Sequence, residues 1–157
     1  MQWTEVLASP YLRDLPFKIE TNEWGQIVMS PAKNLHGALQ TRVAALLDKA
    51  LHGTVVTECS VQTSKGVKVA DVAWLSSEFV DEHGWDEDPF LLAPEICVEI
   101  KSPSNSNTML AEKAQLYLAR GAKEVWLVDA KGATTIIGAG GERKKSQFKV
   151  KIPTSFL

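Results

Sequence analysis

The sequence predicts an α/β fold: a mixed central β-sheet flanked by two main helices and extended by extra N- and C-terminal hairpins. Three observations lead there. Apolar residues recur at three- and four-residue spacing over residues 33–51 and again from about 107 to 120, the periodicity of half-buried helices. Runs of β-branched or alternating residues occupy 54–61, 66–75, 95–101 and 124–129. The strand, helix, strand order from Glu95 to Asp129 is long enough for a right-handed parallel crossover, whereas 54–61 and 66–75 are close enough to be antiparallel.

Residues 1–16 hold a short helix anchored by Val6-Leu7 and Tyr11-Leu12 and ended by Pro16. Phe17-Lys18-Ile19-Glu20 and Gln26-Ile27-Val28-Met29 form a hairpin through Asn22-Glu23-Trp24-Gly25. The first long helix presents Leu35, Leu39, Val43, Leu46, Leu47 and Ala50, and Gly53 is expected to close it. Ser64-Lys65-Gly66 turns the next two strands, and residues 76–93 read as a short helix and a solvated acidic loop without the ligand spacing of a calcium site. Ser102 to Asn107 supplies possible N-caps for the second long helix, with Leu110, Ala114, Tyr117 and Leu118 as its stripe and Gly121 as its stop. Glu124 to Asp129 is nearly all apolar, as in a strand covered on both faces. A final hairpin is expected from Thr134–Ile137 and Gln147–Ile152 around Gly138-Ala139-Gly140-Gly141, with Arg143-Lys144-Lys145 as a solvated turn or a phosphate contact.

The 157 residues, 45% hydrophobic and 23% charged, suffice for one globular domain. No signal peptide or membrane-length apolar run is present, so a soluble, cytoplasmic protein without membrane partners is expected. Cys59 and Cys97 lie in predicted strands with no Cys/His cluster, which argues against zinc and disulfides. The net charge of −2 hides an asymmetry: residues 1–100 carry 7 Lys+Arg against 15 Asp+Glu, and residues 101–157 carry 10 against 4. Screening over about 8 Å lets a local basic surface hold phosphate regardless of the total, although the same numbers fit a chain balancing its own poles.

Two strands carry charge where a core is expected. In Pro94-Glu95-Ile96-Cys97-Val98-Glu99-Ile100-Lys101-Ser102-Pro103, the aliphatics Ile96, Val98 and Ile100 face one way and Glu95, Cys97, Glu99 and Lys101 the other. This arrangement fits a metal-dependent phosphodiesterase site or an ordinary surface ion pair. Asp71 interrupts the apolar strand 66–75, and a buried carboxylate needs a partner, either a ligand or a lysine. Lys113 lies at the edge of the second helix's stripe, able to reach Glu99 or to snorkel to water.

The ordered series resembles the PD-(D/E)XK nuclease superfamily, and more closely its Uma-type family of restriction endonucleases. It comprises Gln26–Pro31 leading to His36, Val69-Ala70-Asp71-Val72-Ala73, the 94–104 segment, Lys113 with Tyr117 and Gly121, and Glu124–Asp129. The resemblance covers about residues 17–138, leaving 1–16 as an N-terminal extension and 139–157 as a C-terminal strand and tail. It implies a restriction-endonuclease-like fold and Mg²⁺-dependent hydrolysis of DNA, with Mn²⁺ as a substitute and a homodimer as the working form. It also implies that Asp71, Glu99 and the backbone carbonyl of Ile100 hold the metal, that Lys101 or Lys113 serves catalysis, and that Glu20 and His36 are additional site residues. Ala70 stands where the superfamily has proline, and the first helix lacks the acidic residue many relatives carry. A silent nucleic-acid-binding or assembly module and the hydrolysis of another phosphate ester are the competing expectations.

Overall fold

The computed structural model describes residues 1–157. After α1 (Trp3–Ala8) the chain forms the hairpin β1 (Phe17–Thr21) and β2 (Ile27–Pro31), a separate two-stranded antiparallel sheet. Helix α2 (Asn34–Ala50) leads to β3 (Thr54–Thr63), β4 (Gly66–Leu75), α3 (Ser77–His83), β5 (Ile96–Ile100), α4 (Asn107–Ala119), β6 (Glu124–Val128), β7 (Thr134–Gly138) and β8 (Gly141–Arg143). The last six strands make one sheet in sequence order, in which only β5 and β6 are parallel. This is the mixed α/β architecture expected, with the α4 crossover supplying the parallel pair.

The sheet separates two cores. Leu39, Val43 and Leu47 of α2 pack with Val72, Ile96, Val98, Ile100 and Trp126 on one face. Ala114 and Tyr117 of α4 and Phe79 of α3 pack with Ala73, Cys97 and Val125 on the other. All five residues of β5 are buried, so its alternation sorts residues between two interiors rather than between core and water. Both cysteines are buried and free.

Strand length positions the site. β4 has ten residues, but β5 has five and pairs only with Val72–Trp74, leaving the first half of β4 without a ladder partner on that side. The β1 strand covers this edge with side chains: Thr21 Oγ1 accepts from the Val67 amide at 2.8 Å and Glu20 Oε1 from the Val69 amide at 2.8 Å. Gly66, at φ +83, is required here because an added Cβ would lie 2.4 Å from the Asn22 carbonyl oxygen.

Three expectations change. Helix α1 ends at Ala8 rather than at Pro16, and of its expected anchors only Val6 is buried, Leu7 and Tyr11 being 54% and 87% exposed. Gly53 does not cap α2, which ends through an extended Leu51; Gly53, at φ +144, instead lets the chain pass beside the Trp74 ring and the Leu75 carbonyl. The strand that completes the last hairpin is β8, because the tight turn pairs Gly138 directly with Gly141. Residues 147–152 form no ladder. Their alternation instead packs Phe148, Val150 and Ile152 onto the α2-side core.

Candidate active site

Asp71 and Glu99 sit side by side on adjacent strands, facing the α4 side of the sheet, and each is only 1% exposed. Asp71 is tied into β5 because its Oδ2 accepts from the Ile100 amide at 2.7 Å. Opposite it in β3, Glu58 takes the left-handed conformation, φ +54, and the Asp71 carbonyl accepts from Gln40 Nε2 of α2 at 2.8 Å. Glu99 Oε1 accepts from the Tyr117 hydroxyl of α4 at 2.7 Å. Helices from both faces of the sheet thus hold the two carboxylates.

Two lysines balance them. Lys18 Nζ, from the hairpin, lies 2.8 Å from Asp71 Oδ1 and 3.5 Å from Glu99 Oε2, bridging the pair. Lys113 Nζ, from α4, lies 2.6 Å from Glu20 Oε1 and 3.2 Å from Glu99 Oε1. His36 Nε2, near the start of α2, is 3.2 Å from Asp71 Oδ2, while its Nδ1 is buried without a partner.

The electrostatics follow from opposing burial and charge. Burial alone would lower Lys18, but Glu99, Asp71 and Glu20 outweigh it and raise its pKa. Burial would raise Asp71 and Glu20; the His36 hydrogen bond and Lys18 hold Asp71 well below the ordinary carboxylate value, and Lys113 and Lys18 lower Glu20. At Glu99 burial prevails over Lys113 and Lys18, and its pKa is raised. The hydrogen bond to Asp71 raises His36. Asp71 and Glu99 are therefore pushed apart, as paired carboxylates in catalytic sites often are, although ion-pair networks of purely structural role do the same.

Of the residues singled out in the sequence, Asp71, Glu99, Lys113, Glu20 and His36 converge here, and Ile100 lines the same cavity of about 550 Å³. Lys101 does not. It follows β5, and its Nζ donates to Asn107 Oδ1 at 2.7 Å at the start of α4, because the strand ends before its side chain could rejoin the Glu99 face. Lys18 and the hydroxyl of Tyr117 are the contributors not anticipated. Lys18 and Glu20 share a strand face at two-residue spacing, the same signal that drew attention to Glu99 and Lys101.

The donor set fits a hard divalent cation in kind: two buried carboxylates on one cavity match the habit of Mg²⁺ of taking one or two carboxylates and keeping waters. The Lys18 ammonium bridging these carboxylates is a cation in that position. No three His, Cys, Asp or Glu side chains are set as a ready coordination shell.

This architecture is that of a nuclease-like fold. The chain is similar to the crystal structure of a "putative nuclease belonging to DUF820" from Anabaena variabilis, with 19% identity and a TM-score of 0.68 over 98% of this chain and 85% of that one. The model of the Uma2 family, described as "Putative restriction endonuclease", matches residues 6–148, and the chain belongs to that family. No curated protein matches it. No helix is long and apolar enough to cross a membrane.

Proposed function

We propose that this protein is a metal-dependent endonuclease hydrolysing DNA phosphodiester bonds at the Asp71–Glu99 pair. The observation that carries the reading is this buried pair, bridged by an ammonium and open to a cavity. Asp71, Glu99 and the Ile100 carbonyl would hold Mg²⁺ or Mn²⁺. When bound, the metal supplies a Lewis acid and a water of lowered pKa. Tyr117 fixes Glu99, and the Ile100 amide and His36 fix Asp71, so the donors are oriented before substrate arrives. Lys113, held between Glu20 and Glu99, places a positive charge where the phosphoryl oxygens gain negative charge. Lys101, at the mouth of α4, is left to contact a phosphate of the substrate. The chain would act as one domain and as a homodimer, testable by sedimentation.

Titration with Mn²⁺ by calorimetry, with Asp71→Ala and Glu99→Ala in parallel, tests the metal site, and nicking of supercoiled plasmid in Mg²⁺ tests the reaction. Binding and nicking by the parent that both substitutions remove would support the reading; a folded parent that binds no millimolar metal and does not nick sinks it. A silent module is the second reading, favoured by Lys18 already neutralising the carboxylates.

A further inference from the structure

The carboxylate cavity is poorly charged for holding a polyanion. Six acidic side chains line it, against four lysines and His36. A second concavity, of about 750 Å³, borders β7 and β8 and differs in kind: its lining includes Arg143, Lys144, Lys145, Lys149 and Lys151 and no acidic residue. Arg143 approaches Glu124 at 3.6 Å, but none of the four lysines forms an ion pair.

The groove is built rather than incidental. Glu124, fully buried in β6, accepts from Ser146 Oγ at 2.8 Å and the Gln147 amide at 2.5 Å, which fixes the start of the segment. Phe148, Val150 and Ile152 then pack inward, so Lys149 and Lys151 between them project to solvent. Thr134, also in the lining, has a buried hydroxyl without a hydrogen-bond partner. Thr134 pairs with Val128 and Val128 with Ile100, so the groove reaches the same end of the sheet as the carboxylates, two strand spacings or about 10 Å across and on the α2 face rather than theirs.

We propose that this groove binds the phosphate backbone of a nucleic acid and supplies the electrostatic affinity that the carboxylate cavity lacks. The lysines act as point charges on the backbone phosphates, so binding is independent of sequence. The concave shape suits a rod-like backbone better than a planar lipid surface. The choice of nucleic acid as the polyanion rests on the nuclease reading.

The test is fluorescence anisotropy of a labelled 20-base-pair duplex of mixed sequence, in EDTA, across a potassium chloride series. Lys149→Gln/Lys151→Gln is compared with Lys49→Gln/Lys123→Gln, which removes the same charge elsewhere, and thermal melts establish that each is folded. The groove variant is expected to lose about tenfold in affinity at low salt and about two units of the log–log salt slope, with the control close to the parent. Equal effects of the two variants, no effect of either, no duplex binding by the parent, or binding only to phosphatidylserine vesicles would overturn the proposal. Hydrolysis of bis(p-nitrophenyl) phosphate, a diester too small to need the groove, reports on the carboxylate site separately. Diester hydrolysis without groove-dependent duplex binding removes the groove and keeps the site; the reverse keeps the groove and removes the site.

Discussion

Lys18 and Lys113 carry the same ammonium group as Lys149 and Lys151, yet the two pairs have opposite surroundings. The first pair is enclosed among Asp71, Glu99 and Glu20, and the second projects from an extended segment with no carboxylate beside it. The difference shows that lysine content alone says little about anion binding. In the cavity the positive charge is already answered from within; in the groove it is available to an outside partner.

Removing a carboxylate should break this comparison most sharply. Asp71→Asn or Glu99→Gln is expected to lower plasmid nicking by about a thousandfold, since the metal contribution is worth several kcal/mol, while duplex binding in EDTA persists. Removing the enclosed cation comes next. Lys18→Met leaves buried carboxylates without their bridge and should cost about 3–5 kcal/mol in urea unfolding. It should also tighten Mn²⁺ binding about tenfold in calorimetry; unchanged affinity would place the metal somewhere other than between Asp71 and Glu99. Tyr117→Phe removes a buried donor to Glu99 and should cost about 2 kcal/mol, again read by urea unfolding.

His36 sharpens the contrast through pH. Its folded pKa is raised above the ordinary 6.5, so its contribution is fully present below that value and is lost as pH rises through the folded value. His36→Gln, melted in EDTA, should therefore be more destabilising at about pH 5.5 than at about pH 8.5, and an equal loss at both would mean that the proton is irrelevant. The smallest effect belongs to the groove: Lys149→Gln should change stability by less than about 0.5 kcal/mol, because no partner is lost.

Much of this was legible in the residues. Helix periodicity placed α2 and α4, and the Asp71 and Glu99 interruptions of apolar strands marked the pair that the fold brings together. Lys101 misleads because strand alternation is a local rule that holds only while the strand continues, and β5 stops at Ile100. Lys18 is hidden for the opposite reason. Its local signal is present, but its role depends on β4 outrunning β5, a mismatch between strands distant in sequence. The tail fails in another way: alternation in 147–152 specifies which residues face inward, without saying whether the backbone joins a ladder.

The length mismatch that admits the hairpin also makes the site a joint between two separately hydrogen-bonded sheets. Lys18 and Glu20 reach it together on β1, one positive and one negative, so the strand brings a zwitterion and no net charge. A small displacement of β1 would leave the long-range field felt by an approaching polyanion nearly unchanged. At close range it would free one face of Asp71 and Glu99 from Lys18 while taking Glu20 from Lys113, which couples the cavity's cation preference to the seating of a two-stranded ribbon.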